Sequence, residues 1–279
     1  MKESRREFLG TVAAYCGGGA LAYYLNFVHV TLPDIPGLDV NIIENPLSED
    51  MSDLSRILEM FDRSKVQRND TVVRQVASGG VVHRDIKKYS VFQTLLLPSA
   101  DPKKQIFIAP YHAFDDGPIE KREAVFYLGD RPQGKEEPGT KLKLEKIIAF
   151  SRAADLVIGH CSSPQQLNLS AVAFSNETDN STPVRIVPGS TYQDHDSLQG
   201  RIINQNDSYI LTNTNVRRGY SGSPLISGDG RVLGFVHSGL LKGSLRKTGD
   251  LSVRSAQLES VLRSCISSRP DCVVYPHHS

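Results

Sequence analysis

The spacing of apolar positions changes near residue 70, and with it the secondary structure the chain predicts. Between Thr31 and about Asp70 the sequence is polar and punctuated by proline, and it holds one helical segment. In that segment Met51, Leu54, Ile57, Leu58 and Phe61 recur at helical spacing. Ser48 stands as the N-cap candidate, with Glu49 and Asp50 in the first turn, where acidic groups complement the helix dipole. One apolar stripe on an otherwise polar segment predicts a small helix packed on the main domain rather than one that recruits a partner.

Beyond residue 70 the period shortens. Runs rich in Val, Ile, Tyr and Phe occupy 71–76, 90–97, 105–109, 124–128, 144–150, 156–159, 169–174, 184–187, 201–203, 209–212, 224–226 and 232–236, separated by Gly, Pro, Asn and Asp. About a dozen short strands with turn signals between them predict an all-β domain, a sandwich or barrels, spanning roughly 66–279. Helix returns near the end, where Leu258, Val261, Leu262, Cys265 and Ile266 share one apolar face. The charged stretch 131–146 holds two prolines and two glycines and predicts a solvated loop.

Composition narrows the function classes. With 279 residues, 39% of them hydrophobic, the chain can bury a substantial core, which excludes a disordered or collagenous protein. Lys and Arg number 32 against 31 Asp and Glu, so no excess of positive charge argues for a nucleic-acid partner. The four cysteines, Cys16, Cys161, Cys265 and Cys272, are too scattered for a disulfide scaffold and form no CxxC pair for zinc.

The first thirty residues combine a basic start, a modest apolar stretch and the small-x-small run Ala20-Leu21-Ala22, the outline of an export signal. Ser4-Arg5-Arg6-Glu7-Phe8-Leu9 resembles the twin-arginine signal of bacterial and archaeal secretion, with Gly10 where lysine is usual. The expectation is an exported protein, periplasmic or extracellular. A second expectation is an uncleaved anchor, because residues 8–30 approach the roughly 20 apolar residues of a membrane span. Cleavage after Ala22 would remove Cys16 and leave Cys161 a buried thiol, with Cys265 and Cys272 near enough in sequence to close a small loop.

One segment carries chemistry. Arg217-Arg218-Gly219-Tyr220-Ser221-Gly222-Ser223-Pro224 sets a serine between glycines ahead of an apolar strand, and Val232-Leu233-Gly234-Phe235-Val236-His237-Ser238-Gly239 follows. Glycines at a tight turn expose a hydroxyl while backbone N–H groups converge beside it. A serine hydroxyl is a poor nucleophile without a base, so a histidine and an orienting carboxylate are required. His112 lies just after the apolar run 106–109, and Asp155 opens the run 156–159. Asp155 follows His112 by 43 residues and precedes Ser221 by 66.

These three segments resemble those of the chymotrypsin-like serine peptidases, over about residues 66–266, in the order His, Asp, Ser. The resemblance implies two antiparallel six-stranded β-barrels and a C-terminal helix, with the site in the cleft between barrels. It implies that Ser221 attacks a scissile carbonyl, His112 takes and returns the proton, Asp155 orients His112, and the amides of Gly219 and Ser221 hold the oxyanion. Substrates would be peptides or proteins, and the reaction needs no cofactor or metal. Asn215 would floor the specificity pocket, uncharged and so unsuited to Lys or Arg. His237, Ser238 and Gly239 would line the substrate cleft, with His237 a wall or core histidine rather than a reader of acidic side chains. No cysteines bracket His112 or Ser221, so the bacterial or viral branches fit better than the animal digestive enzymes. A catalytically silent peptide-binding module and a membrane-anchored viral polyprotein-processing protease are the rival expectations. His83-Arg84-Asp85-Ile86 mimics a kinase loop without the following Asn, Asp115 and Asp116 sit too close after His112 to orient it, and Arg217, Arg218, His277 and His278 are expected in solvent.

Overall fold

Strands with both faces buried explain why the apolar runs are continuous. In the segment Lys104–Pro110, Phe107 and Ala109 face one apolar cluster while Ile106 and Ile108 face another. The computed structural model describes residues 39–42, 47–62, 70–83, 88–114, 123–128, 140–189, 198–217, 219–242 and 246–268. In chain order these form β1 (Val40–Ile42), α1 (Ser48–Glu59), β2 (Val76–His83), β3 (Lys88–Pro98), β4 (Lys104–Pro110), β5 (Glu123–Leu128), β6 (Thr140–Ser151) and β7 (Leu156–Ser162). The second half holds β8 (Pro183–Ile186), β9 (Gln199–Gln205), β10 (Tyr209–Thr212), β11 (Pro224–Ser227), β12 (Val232–Lys242), β13 (Arg246–Arg254) and α2 (Ser255–Ser267).

Two antiparallel barrels result, each closed by six strands. The first runs β6-β5-β2-β3-β4-β7 and back to β6, with β1 added along β6; the second runs β10-β13-β12-β11-β8-β9 and back to β10. Closure removes exposed strand edges. Phe92, Phe107, Phe114 and Phe126 fill the first barrel, and Ile186, Ile202, Tyr220, Leu225 and Leu233 the second. A third apolar cluster joins them, made of outward residues of both barrels with Met51, Leu54 and Ile57 of α1 and Leu258, Val261 and Leu262 of α2. This shared core locks the barrels together and so determines where their loops meet.

Several expectations need correction. The stretch 71–76 is not a strand: Asp70–Gln75 is a 3-10 turn, and the strand begins at Val76. Residues 169–174 are extended but unpaired apart from a bridge between Phe174 and Val232, because the run crosses between the barrels. Its amides and carbonyls bond the Gln75 side chain, Met60 and Val232 instead. Ser48 is the first helical residue rather than the cap; Leu47 takes that place, and its N–H donates to Asp50 Oδ2 at 2.6 Å. Thr140 onward belongs to β6, so the end of the charged stretch 131–146 is strand and not loop.

The α1 helix is fastened by charge as well as by its apolar stripe. Asp53, fully buried, accepts from Ser99 Oγ at 2.6 Å, Ala100 N at 2.8 Å and His160 Nε2 at 2.7 Å. Asp50 pairs with Lys146 and lies 3.5 Å from His160 Nδ1. Burial alone would raise the Asp53 carboxyl, but the hydrogen bonds from His160, Ser99 and Ala100 outweigh it and hold the group below its usual value. Cys161 and Cys265 are free and buried. Arg5, Arg6, Cys272, His277 and His278 lie outside the described residues, as do Asp115, Asp116, Arg84, Asp85 and Arg218.

Candidate active site

Strand register brings His112 and Asp155 together. Pro110, at the end of β4, pairs with Leu156, at the start of β7, so the residues just beyond each lie side by side at one barrel mouth. His112 sits in the 3-10 turn Tyr111–Ala113 that follows β4, and Asp155 in the turn that enters β7. Asp155 adopts a left-handed φ of 50°, a conformation that costs a non-glycine residue about 1–2 kcal/mol. The Tyr111 N–H donates to the Asp155 carbonyl at 3.0 Å, and the His112 N–H to Asp155 Oδ1 at 2.7 Å. Those two bonds fix the turn, and the carboxylate then meets His112 Nδ1 at 2.7 Å through Oδ2.

A second imidazole meets the same oxygen. His237 Nδ1, from β12 of the other barrel, lies 2.5 Å from Asp155 Oδ2, and the two rings stand edge to face with centroids 5.9 Å apart. The reading of His237 as a wall or core histidine did not include this partner. Facing a carboxylate, each Nδ1 is the nitrogen placed to donate, and a neutral ring that donates there keeps Nε2 as its basic nitrogen. Burial would raise the Asp155 carboxyl, but electrostatic attraction to His112 and His237 and their hydrogen bonds prevail and hold it well below the usual carboxylate range. Tyr209, whose ring lies near His237, has its phenol pushed up by burial and by the Asp155 charge.

Ser221 comes from the turn between β10 and β11. Gly219 and Gly222 have φ of 95° and 86°, the left-handed region open to glycine, and they fold the chain back around Ser221. The amides of Tyr220, Gly222 and Ser223 donate to the carbonyls of Arg217, Val236 and Tyr220. Those of Gly219 and Ser221 donate to nothing among the described residues. The Ser221 hydroxyl donates to the His237 carbonyl at 3.4 Å, a long bond, and no hydrogen bond joins it to His112 among the described residues. A rotation about its Cα–Cβ bond frees it from that weak partner.

The turn is braced from the first barrel by Gln93, which sequence reasoning missed. The Gln93 N–H donates to the Ser221 carbonyl at 2.7 Å, and its Nε2 to the Gly219 carbonyl at 3.0 Å. Its Oε1 accepts from Gly189 N at 2.8 Å and Ser78 Oγ at 3.3 Å. A glutamine inside a strand carries no sequence signal for such a role; only the docking of barrels reveals it. Gly222 is equally constrained, since an added Cβ would lie 2.1 Å from the Gln93 carbonyl oxygen and 2.6 Å from Pro110 Cδ.

Ser238 and Gly239 continue β12 from His237, pairing with Leu251 and Asp250 of β13. Asn215 is exposed, but its neighbours are tied to a buried carboxylate: Asp250 Oδ2 accepts from Val216 N at 3.0 Å and Thr214 Oγ1 at 2.7 Å. Arg217 is exposed, as expected. For metal coordination, His112, Asp155 and His237 each offer one ligand atom, all within 4.8 Å of one another. No protein-family model matches the chain, and no curated protein matches it in sequence.

Proposed function

We propose that this protein is a serine endopeptidase that cleaves peptide bonds through a covalent acyl-enzyme. The observation that carries the reading is the 2.7 Å contact of His112 Nδ1 with a buried carboxylate, beside a glycine-bounded serine turn with two amides that donate to nothing among the described residues. In this reading Asp155 holds the His112 ring with Nε2 as base, and Nε2 takes the Ser221 proton as Oγ attacks the substrate carbonyl. The Gly219 and Ser221 N–H groups receive the developing oxyanion, each worth about 3–4 kcal/mol of barrier lowering in comparable sites. His112 then protonates the leaving amine, and water resolves the acyl-enzyme by the reverse sequence. Export through the Arg5-Arg6 signal is part of the same proposal.

One observation favours the rival, a silent peptide-binding module: the Ser221 hydroxyl is turned to the His237 carbonyl. Apo enzymes often align their catalytic hydrogen bonds only when substrate arrives, so the two readings differ in reactivity and not in resting geometry. Labelling with a fluorophosphonate, read by intact mass, separates them. A single adduct on the native chain and none on Ser221→Ala is the expected result. No adduct on folded native protein would overturn the peptidase reading in favour of binding alone.

A further inference from the structure

Two imidazoles and a carboxylate are a donor set that suits zinc and related ions, and His112, Asp155 and His237 are the one such group of three among the described residues. We propose that these three side chains form a binding site for a divalent transition-metal ion of the zinc class, whose occupancy stops acyl transfer at Ser221. The binding stands on the geometry alone; the inhibition rests on the peptidase reading.

The three groups converge on one point. Both Nδ1 atoms face Asp155 Oδ2, at 2.7 and 2.5 Å. Zinc bonds of about 2.0–2.2 Å separate tetrahedral ligands by roughly 3.3 Å, so the imidazoles must swing outward by about 0.6 Å at His112 and about 0.8 Å at His237. The carboxylate stays fixed, because its Oδ1 holds the His112 amide at 2.7 Å. Both rings reach solvent at one edge: the His112 side chain is 16% exposed and that of His237 13%. Three protein ligands leave the fourth tetrahedral position to water.

Proton accounting explains the inhibition. In a neutral imidazole, an Nδ1 that donates to Asp155 holds the one ring proton and leaves the lone pair on Nε2. An ion taking both Nδ1 lone pairs sends those protons to Nε2 through solvent, with no redox change and no net proton release. His112 Nε2 then bears hydrogen and has no lone pair for the Ser221 proton. Metal occupancy and general-base catalysis thus exclude each other at one ring.

The test uses the full chain with His277→Gln and His278→Gln, which removes the terminal histidine pair as a competing site. Titration with Co2+ is expected to give one saturable equivalent with the visible absorption of a four-coordinate ion, displaced by Zn2+. His237→Gln and His112→Gln are each expected to weaken it by at least about tenfold, a loss that even outer-sphere changes reach. If either variant fails to fold, footprinting of unsubstituted His112 and His237 with diethyl pyrocarbonate replaces it: Zn2+ should protect both rings. No saturable equivalent, binding indifferent to His237→Gln, or no protection would overturn the site. Fluorophosphonate labelling in EDTA that persists undiminished in saturating Zn2+ would overturn the inhibition. A chain that binds Co2+ through His237 but never labels would keep the metal site and remove the peptidase reading with its inhibition.

Discussion

Replacing Gly222 with alanine probes whether the serine turn is held by contact with the first barrel. The added methyl has no free space: its carbon would lie 2.1 Å from the Gln93 carbonyl oxygen, 2.6 Å from Pro110 Cδ and 3.1 Å from the Gln93 carbonyl carbon. Reaching even 3.0 Å from that oxygen requires about 0.9 Å of movement, and the obstacle is backbone of β3, which is hydrogen-bonded within its sheet. The φ of 86° adds about 1–2 kcal/mol for a residue with Cβ, and crowding about 1–3 kcal/mol. A total of about 2–5 kcal/mol leaves a domain of ordinary stability folded but weakened. The movement falls on Ser221 and its amides, and a 1 Å error in such a site lowers rates about a hundredfold. The assay pairs a urea midpoint with the second-order rate of fluorophosphonate labelling. Gly228→Ala is the control, since its Cβ would meet nothing within 4 Å. A Gly222→Ala protein that matches wild type in both measurements would refute the packing argument.

Three further outcomes are expected. Asp155→Asn should lower the labelling rate about 10⁴-fold while keeping the fold, because asparagine tolerates the left-handed turn; a loss below tenfold would point to another group orienting His112. Gln93→Ala should strand the Gly189 amide and the Gly219 carbonyl, at about 1–3 kcal/mol each, and slow labelling more than Ser78→Ala does; equal effects would reduce Gln93 to packing. Asp53 has its pKa lowered in the folded state, so the stability it contributes is full above the unfolded value near 4 and fades as pH falls through the folded value. The gap in urea midpoint between wild type and Asp53→Asn should therefore be wide at pH 7 and narrow at pH 3, and an unchanged gap would refute the linkage.

Much of the architecture was legible in local pattern. The strands at 90–97, 105–109 and 209–212 and the apolar face of α2 follow from burial that repeats at fixed spacing, which any compact arrangement must satisfy. Segments whose structure depends on neighbours were not legible. β13 reads Arg-Lys-Thr-Gly-Asp at its start, a loop composition, and becomes strand because β10 and β12 bond it from both sides. β2 carries Gly79 and Gly80, which look like a turn; a Cβ at Gly79 would lie 2.5 Å from the Phe92 ring, so the glycine makes room for a core aromatic. His112, Asp155 and Ser221 were named from the sequence because each lies in a motif of a few adjacent residues. The partnership of His237 with Asp155 spans 82 residues, and that of Gln93 with Gly219 spans 126. Contacts of that length carry no local periodicity, and they exist only because a shared apolar core docks one closed barrel against the other.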